Sequence, residues 1–153
     1  MRPLTLRSRA AKLLLAIATV AICSFDFVPG GASYEVYLNN ERVINEYLHG
    51  QKKTPTLPLN MSTPQDELSI TFSNCGKIDT GRKISLKDEK DKTLKEWSFF
   101  DSPDIKNKMV IRVSEITDFR QKHSTAKLVY SSRELSIDVH LITVQLANAT
   151  AQN

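Results

Sequence analysis

Two cysteines and three histidines are the residues whose side chains could most readily do chemistry. Cys75 follows the apolar run ending at Phe72 and precedes Gly76, Lys77, Gly81, Arg82 and Lys83. Cations beside a thiol favour the thiolate, so this setting offers a reactive thiol, an intermolecular disulfide or a metal ligand. Nucleophilic catalysis also needs a base, and no histidine lies near Cys75 in sequence, so His123 or His140 could reach it only through the fold. The competing expectation is a small buried or half-buried residue in a loop. His49, His123 and His140 never stand at the spacing of about two to five residues usual for zinc ligands, with one another or with Cys75. No metal site and no cofactor are expected. His140 shares its parity with Ser136 and Asp138, which predicts a solvent-facing strand position.

Carboxylates are no more suggestive. Asp88, Glu89 and Asp91 cluster like the ligands of a calcium loop, but Lys87, Lys90 and Lys92 interleave with them, and three ammonium groups oppose a dication. A solvated hairpin tip is the expectation there. Elsewhere the acids are scattered, with no pair placed as general acid and base. Neither a Gly-x-Ser-x-Gly elbow nor a phosphate-cradling glycine loop occurs, so no catalytic residue is assigned.

The chain has 153 residues, enough for one ordinary core. Its 41% hydrophobic and 25% charged content excludes disorder-dominated and multi-span membrane classes. The formal net charge of +4 hints at a polyanion partner until the chain is divided. Arg2, Arg7, Arg9 and Lys12 precede position 13, and Asp26 is the only acid before Ser33. Without residues 1–32 the 21 basic and 17 acidic residues fall to 17 and 16, a net of +1. That balance gives nucleic-acid binding no support.

The basic leader runs into Leu13 to Cys23, eleven uncharged residues that are apolar except for Thr19. A membrane-spanning helix needs roughly 20. Pro29 breaks the helix, and Gly30 and Ala32 place small residues for cleavage after Ala32, which together predict a removed export signal over 1–32. A buried core helix or an uncleaved anchor are the bland alternatives, and four cations before the run oppose the first. Acylation at Cys23 is a further one, although Ile22 is bulky for the position ahead of a lipidated cysteine. With Cys23 gone, Cys75 is alone and no intrachain disulfide can form. The triplets Asn60-Met-Ser62 and Asn148-Ala-Thr150 satisfy the N-glycosylation rule, which matters only in a eukaryotic secretory pathway.

From residue 33 onward apolar and polar residues alternate with period two, the mark of half-buried strands. Strands are predicted over 34–38, 42–47, 67–73, 82–88, 93–100, 109–113, 127–131 and 135–146. Asn39-Asn40 supplies the positive φ of a two-residue hairpin. Pro55, Pro58 and Pro64 confine any strand over 54–64 to a sheet edge. Ser114 can cap a two-turn helix ending near His123, with Ile116 and Phe119 on one face. In the last strand the apolar parity switches between Leu141 and Ile142, which predicts a bulge near Leu141 or a strand buried on both faces. About eight strands with hairpin signals predict an all-β fold: an antiparallel, immunoglobulin-like β-sandwich over 33–147 with one short connecting helix and a flexible tail at 148–153. Small barrels are the alternative.

The segments Tyr34-Glu-Val-Tyr-Leu-Asn-Asn40, Ser73-Asn-Cys-Gly76, Gly81-Arg-Lys-Ile-Ser-Leu-Lys-Asp88 and Leu94-Lys-Glu-Trp97 resemble small uncharacterised secreted bacterial proteins with the same order of hairpins. The resemblance covers most of the chain after the leader. It implies fold and export, and carries no activity, cofactor or catalytic residue.

The functional expectation is an exported, non-enzymatic module. It would bind a protein or envelope component, in the periplasm, envelope or outside, by strand addition or loop contact. Its contact residues would be Tyr34, Tyr37, Asn39, Asn40, Lys77 and Arg82, and its contact segments 34–47, 75–82 and 89–92. A thiol-dependent enzyme using Cys75 and a lipid-anchored envelope protein through Cys23 are the alternatives.

Overall fold

A computed structural model describes residues 31–48, 53–59, 62–101 and 108–146. The leader through Gly30 with Cys23, and His49, Asn60, Met61 and the tail from Ala147, lie outside the described residues.

The first hairpin forms where the two asparagines predict it. β1 (Ser33–Leu38) pairs antiparallel with β2 (Glu41–Tyr47), and Asn39 and Asn40 turn the chain at φ of 51° and 67°. Positive φ at both central residues matches the twist of the flanking strands. Asn39 also fastens the turn to the next strand: its Nδ2 donates to Asp66 Oδ1 at 2.9 Å, and its Oδ1 accepts from the Glu67 amide at 3.0 Å. The Asn39 bond to Asp66, with those from the Thr63 amide and hydroxyl, holds the Asp66 carboxyl below its usual range. In β2, Val36 pairs with Ile44 and Tyr37 with Arg42, which leaves Val43 as a bulged residue.

β4 (Glu67–Ser73) and β7 (Met109–Arg112) complete a four-stranded antiparallel sheet in the order β2-β1-β4-β7. The second sheet has five strands: β3 (Thr56–Pro58), β9 (Val139–Gln145), β8 (Thr125–Ser131), β5 (Lys83–Lys87) and β6 (Thr93–Ser98), in that order. β3 occupies the predicted edge, although it runs parallel to β9 rather than antiparallel. The chain is therefore all-β with one short helix among the described residues.

Both sheets bury one parity in a shared cluster. Tyr34, Val36, Leu68, Ile70, Phe72, Met109 and Ile111 come from the first; Ile84, Leu86, Ala126, Leu128, Tyr130, Ile142 and Val144 come from the second. A ring stack and a hydrogen bond are among the contacts that cross between the sheets. The Phe72 and Tyr130 rings stack with centroids 4.2 Å apart, and the Tyr34 hydroxyl donates to the Leu141 carbonyl at 2.6 Å. Burial, helped by Glu46, pushes the Tyr34 hydroxyl up to about 12.

The bulge near Leu141 is present. Leu128 pairs with Ile142 and Val129 with His140, so Leu141 is the extra residue, and both Leu141 and Ile142 are fully buried. The strand starts at Val139, however, and not at Leu135. Its upstream neighbours are held as a loop, because the Glu134 carboxylate accepts from the Thr80 amide and hydroxyl at 2.7 and 2.6 Å and the Arg133 amide donates to the Thr80 carbonyl at 3.0 Å.

The helix is shorter than predicted. α1 spans Val113–Thr117 after an Arg112 N-cap that makes no side-chain bond, so Ser114 lies inside it and is not the cap. The buried Val113 donates its amide to the Asp66 carbonyl at 2.9 Å, which starts the helix at the end of β7. Thr117 Oγ1 then donates back to the Val113 and Ser114 carbonyls, a local competition that favours short helices. Turns continue through Lys122. On this side Trp97 Nε1 donates to Glu115 Oε2 at 2.9 Å and Lys95 Nζ reaches the same oxygen at 2.6 Å, so α1 ties β6 to the neighbouring sheet.

Candidate functional site

Cys75 sits on a tight turn between Asn74 and Lys77, where the Lys77 amide donates to the Asn74 carbonyl at 2.8 Å. Both central residues have positive φ, 50° at Cys75 and 76° at Gly76. The side chain is exposed, which corrects the expectation of a buried or half-buried loop residue. A positive-φ turn projects away from the sheet, so the parity of the preceding strand does not carry through to it.

The turn is pinned by interior polar groups. Asn74 Nδ2 donates to Asp79 Oδ1 at 3.1 Å, the Tyr130 hydroxyl donates to Asp79 Oδ2 at 2.8 Å, and the Arg82 guanidinium donates to the Phe100 carbonyl. Asp79 and Arg82 are both buried. Desolvation, reinforced by Asp79, raises the Tyr130 hydroxyl far above its ordinary range. Arg82 therefore belongs to the interior framework and not to a contact surface, a correction, whereas Tyr34 is buried yet still lines a groove on the outer face of its sheet. Lys77 stays exposed.

Neither remaining histidine meets Cys75. His123 lines a depression with Glu89, Lys90 and Thr125 beyond the C-terminal end of β5, whereas the Cys75 turn precedes the N-terminal end of that strand. His140 is half-buried rather than solvent-facing, with Nε2 3.1 Å from the Ile142 carbonyl and 3.3 Å from Thr143 Oγ1. The extra residue at Leu141 disrupts the simple alternation that predicted exposure. Burial lowers the His140 pKa, with the Ile142 carbonyl opposing. At the charged hairpin Asp88 Oδ1 accepts from the Lys90 and Lys92 amides, both at 2.9 Å, so this carboxylate shapes the turn.

Side chains of the other parity converge on the outer face of the four-stranded sheet. Cross-strand pairing sets them in ranks: Tyr47, Ser33 and Ser73; then Asn45, Glu35 and Thr71; then Arg42, Tyr37 and Ser69. Glu35 is the hub. Its carboxylate accepts from Arg42 NH1 at 2.7 Å, from the Tyr37 hydroxyl at 2.7 Å and from Thr71 Oγ1 at 3.5 Å. The bond to Glu35 raises the Tyr37 hydroxyl pKa, since a phenolate there would face a carboxylate. Lys108 Nζ lies 4.4 Å from the Tyr37 ring centroid and 3.5 Å from Asn40 Oδ1, so one face of that ring is already occupied. Tyr47, at 62% exposure, carries the open ring. Between the large side chains of β2 and the hydroxyls of β4 runs a groove of about 370 Å³ lined by Ser33, Glu35, Asn45, Tyr47, Thr71 and Ser73.

Among the predicted contact residues, Tyr34 and Tyr37 fall on this sheet and Asn39 and Asn40 on the turn that joins its first two strands. Glu35, Arg42, Asn45, Tyr47, Thr71 and Ser73 were not singled out individually. Their signal was the polar parity of three strands, which becomes a site only when the register aligns it. Val43 at 40% exposure adds apolar surface on β2, every residue of which is exposed or half-exposed.

No family model, curated protein or solved structure matches this chain. Among the described residues no helix is long and apolar enough to cross a membrane.

Proposed function

We propose that the chain is an exported, non-enzymatic recognition module. In this reading it is an immunoglobulin-like β-sandwich that offers the β2 edge and the adjoining outer face to a partner in the periplasm, the envelope or outside the cell. The observation that carries the reading is the combination on β2. A seven-residue edge strand without proline shows Val43 and Tyr47 to solvent and borders a preformed groove. Edge strands with free backbone groups accept added strands, and exposed aromatic residues supply anchoring area. The export half of the proposal draws on the cationic segment before Leu13, the short apolar run and the small residues ending at Ala32.

Two experiments test it. The whole chain and its Val43→Lys/Tyr47→Ala double variant are used to capture partners from the host envelope fraction. A partner retained by the wild type and lost by the variant is expected, and one retained by both overturns the assigned surface. Mass spectrometry of the native N-terminus is expected to begin at Ser33. An acylated Cys23 there would replace the cleaved-and-released form with a tethered one.

A further inference from the structure

We infer that the groove on the outer face of the four-stranded sheet binds a neutral oligosaccharide, one sugar ring stacking on Tyr47. This rests on the recognition reading above and names the ligand of the groove beside the β2 edge, not of the edge itself.

Size comes first. The groove's volume of about 370 Å³ falls within the roughly 300–1,000 Å³ typical of small-ligand sites. Next is the balance of lining groups. Ser33, Thr71 and Ser73 offer hydroxyls that both donate and accept, Asn45 offers an amide that does the same, and the planar groups of Glu35 and Arg42 stand between them. A polyol presents the matching mixture of donors and acceptors at close spacing. Such a site needs its polar groups held in advance, and Glu35 is held on both oxygens by Arg42 and Tyr37. Apolar contact completes the set. The C–H face of a pyranose requires a flat, accessible ring, and Tyr47 borders the groove with its ring open while Lys108 covers Tyr37.

Charge selects the neutral class. Glu35 and Arg42 are the charged residues lining the groove, and they are paired with each other at 2.7 Å. An anionic ligand is repelled by the Glu35 carboxylate and a cationic one by Arg42, and the pair leaves the groove no net charge to favour either. A peptide strand has a different address on the same sheet. It would bond to the β2 backbone edge beside Val43 and leave the ranks of side chains on the face untouched.

The test titrates the whole chain with neutral probes, namely the tetrasaccharides of cellulose, starch and chitin, and with a tetrauronate as the anionic counterpart. Backbone amide shifts are followed by NMR. At least one neutral probe is expected to move Asn45, Tyr47 and Thr71, with Tyr47→Ala weakening binding about tenfold and Tyr47→Phe preserving it. Thermal melting should be unchanged in both variants, because the ring lies outside the core. Silence across the neutral panel, equal binding by Tyr47→Ala, or tighter binding of the tetrauronate overturns the inference. If the panel is silent while envelope capture still depends on Val43 and Tyr47, only the ligand class falls. If capture is also indifferent to them, the recognition reading falls with it.

Discussion

The outer faces of the two sheets are built from similar alternating strands yet use their polar residues differently. On the five-stranded sheet the strand lysines are neutralised by acids of neighbouring strands and turns: Lys83 with Glu96 at 2.8 Å, Lys87 with Asp138 at 3.3 Å and Lys127 with Asp91 at 2.8 Å. Lys83 and Lys127 hold the Glu96 and Asp91 carboxyls below their usual range. Each lysine has its acid within the same molecule, and what remains is a solvated surface. On the four-stranded sheet one ion pair organises a patch of hydroxyls, an amide and an open aromatic ring. Similar strand chemistry therefore gives a face whose charges are matched in pairs on one sheet, and on the other a face of half-buried hydroxyls beside the open Tyr47 ring.

The harshest challenge to this comparison is to remove what both faces share. Phe72→Ala deletes the ring stacked on Tyr130 between the sheets and should cost ~3–5 kcal/mol in chemical denaturation. A much smaller loss would mean that the sheets do not depend on a common core. Asp79→Ala should cost ~1–3 kcal/mol, since it strands the buried Tyr130 hydroxyl and frees Asn74 from beneath the Cys75 turn. Faster amide exchange from Asn74 to Lys77 checks the second half of that expectation.

The turn that aligns the four-stranded sheet's outer face is tested by a pair of substitutions. Asn40→Ala should destabilise by ~1 kcal/mol at φ of 67°, whereas Asn40→Gly should be close to neutral. Equal effects in thermal melts would remove the conformational explanation.

Acid sharpens the contrast from the other side. His140 is depressed below its ordinary 6.5 by burial. The unfolded chain therefore takes up the proton first, and stability is lost as pH falls from about 6.5 toward the folded-state value. His140→Gln should flatten the melting temperature over that interval. A second loss, from the depressed carboxyls of Glu96, Asp91 and Glu134, should begin only below about pH 4.5 and remain in the variant. The smallest effect belongs to the charge-paired face. A double-mutant cycle on Lys83 and Glu96 should give a coupling below ~1 kcal/mol that fades with salt, as expected for a pair whose side chains are 45% and 42% exposed.

Much of the architecture was legible beforehand because strand burial writes itself into the chain with period two. Leu68, Ile70 and Phe72 announced their buried face, Asn39 and Asn40 their turn, and the switch at Leu141 and Ile142 its bulge. What misled was local reading of residues whose fate depends on distant partners. Arg82 looked like a surface cation until the Phe100 carbonyl received it, and Leu135 looked like strand until Glu134 was drawn to Thr80. The Cys75 turn escaped the parity of β4 because its two positive φ angles lift it clear of the sheet.

By itself, then, the amino-acid order determined which residues alternate, where the chain can reverse and which side of each strand must be dry. These depend on neighbours a few positions apart. Only the tertiary structure decided that Tyr47, Asn45 and Arg42 stand beside Ser33, Glu35 and Tyr37, and those beside Ser73, Thr71 and Ser69. Cross-strand register joins positions more than thirty residues apart, such as Glu35 and Thr71, and a slip of one place would turn every one of these side chains to the opposite face.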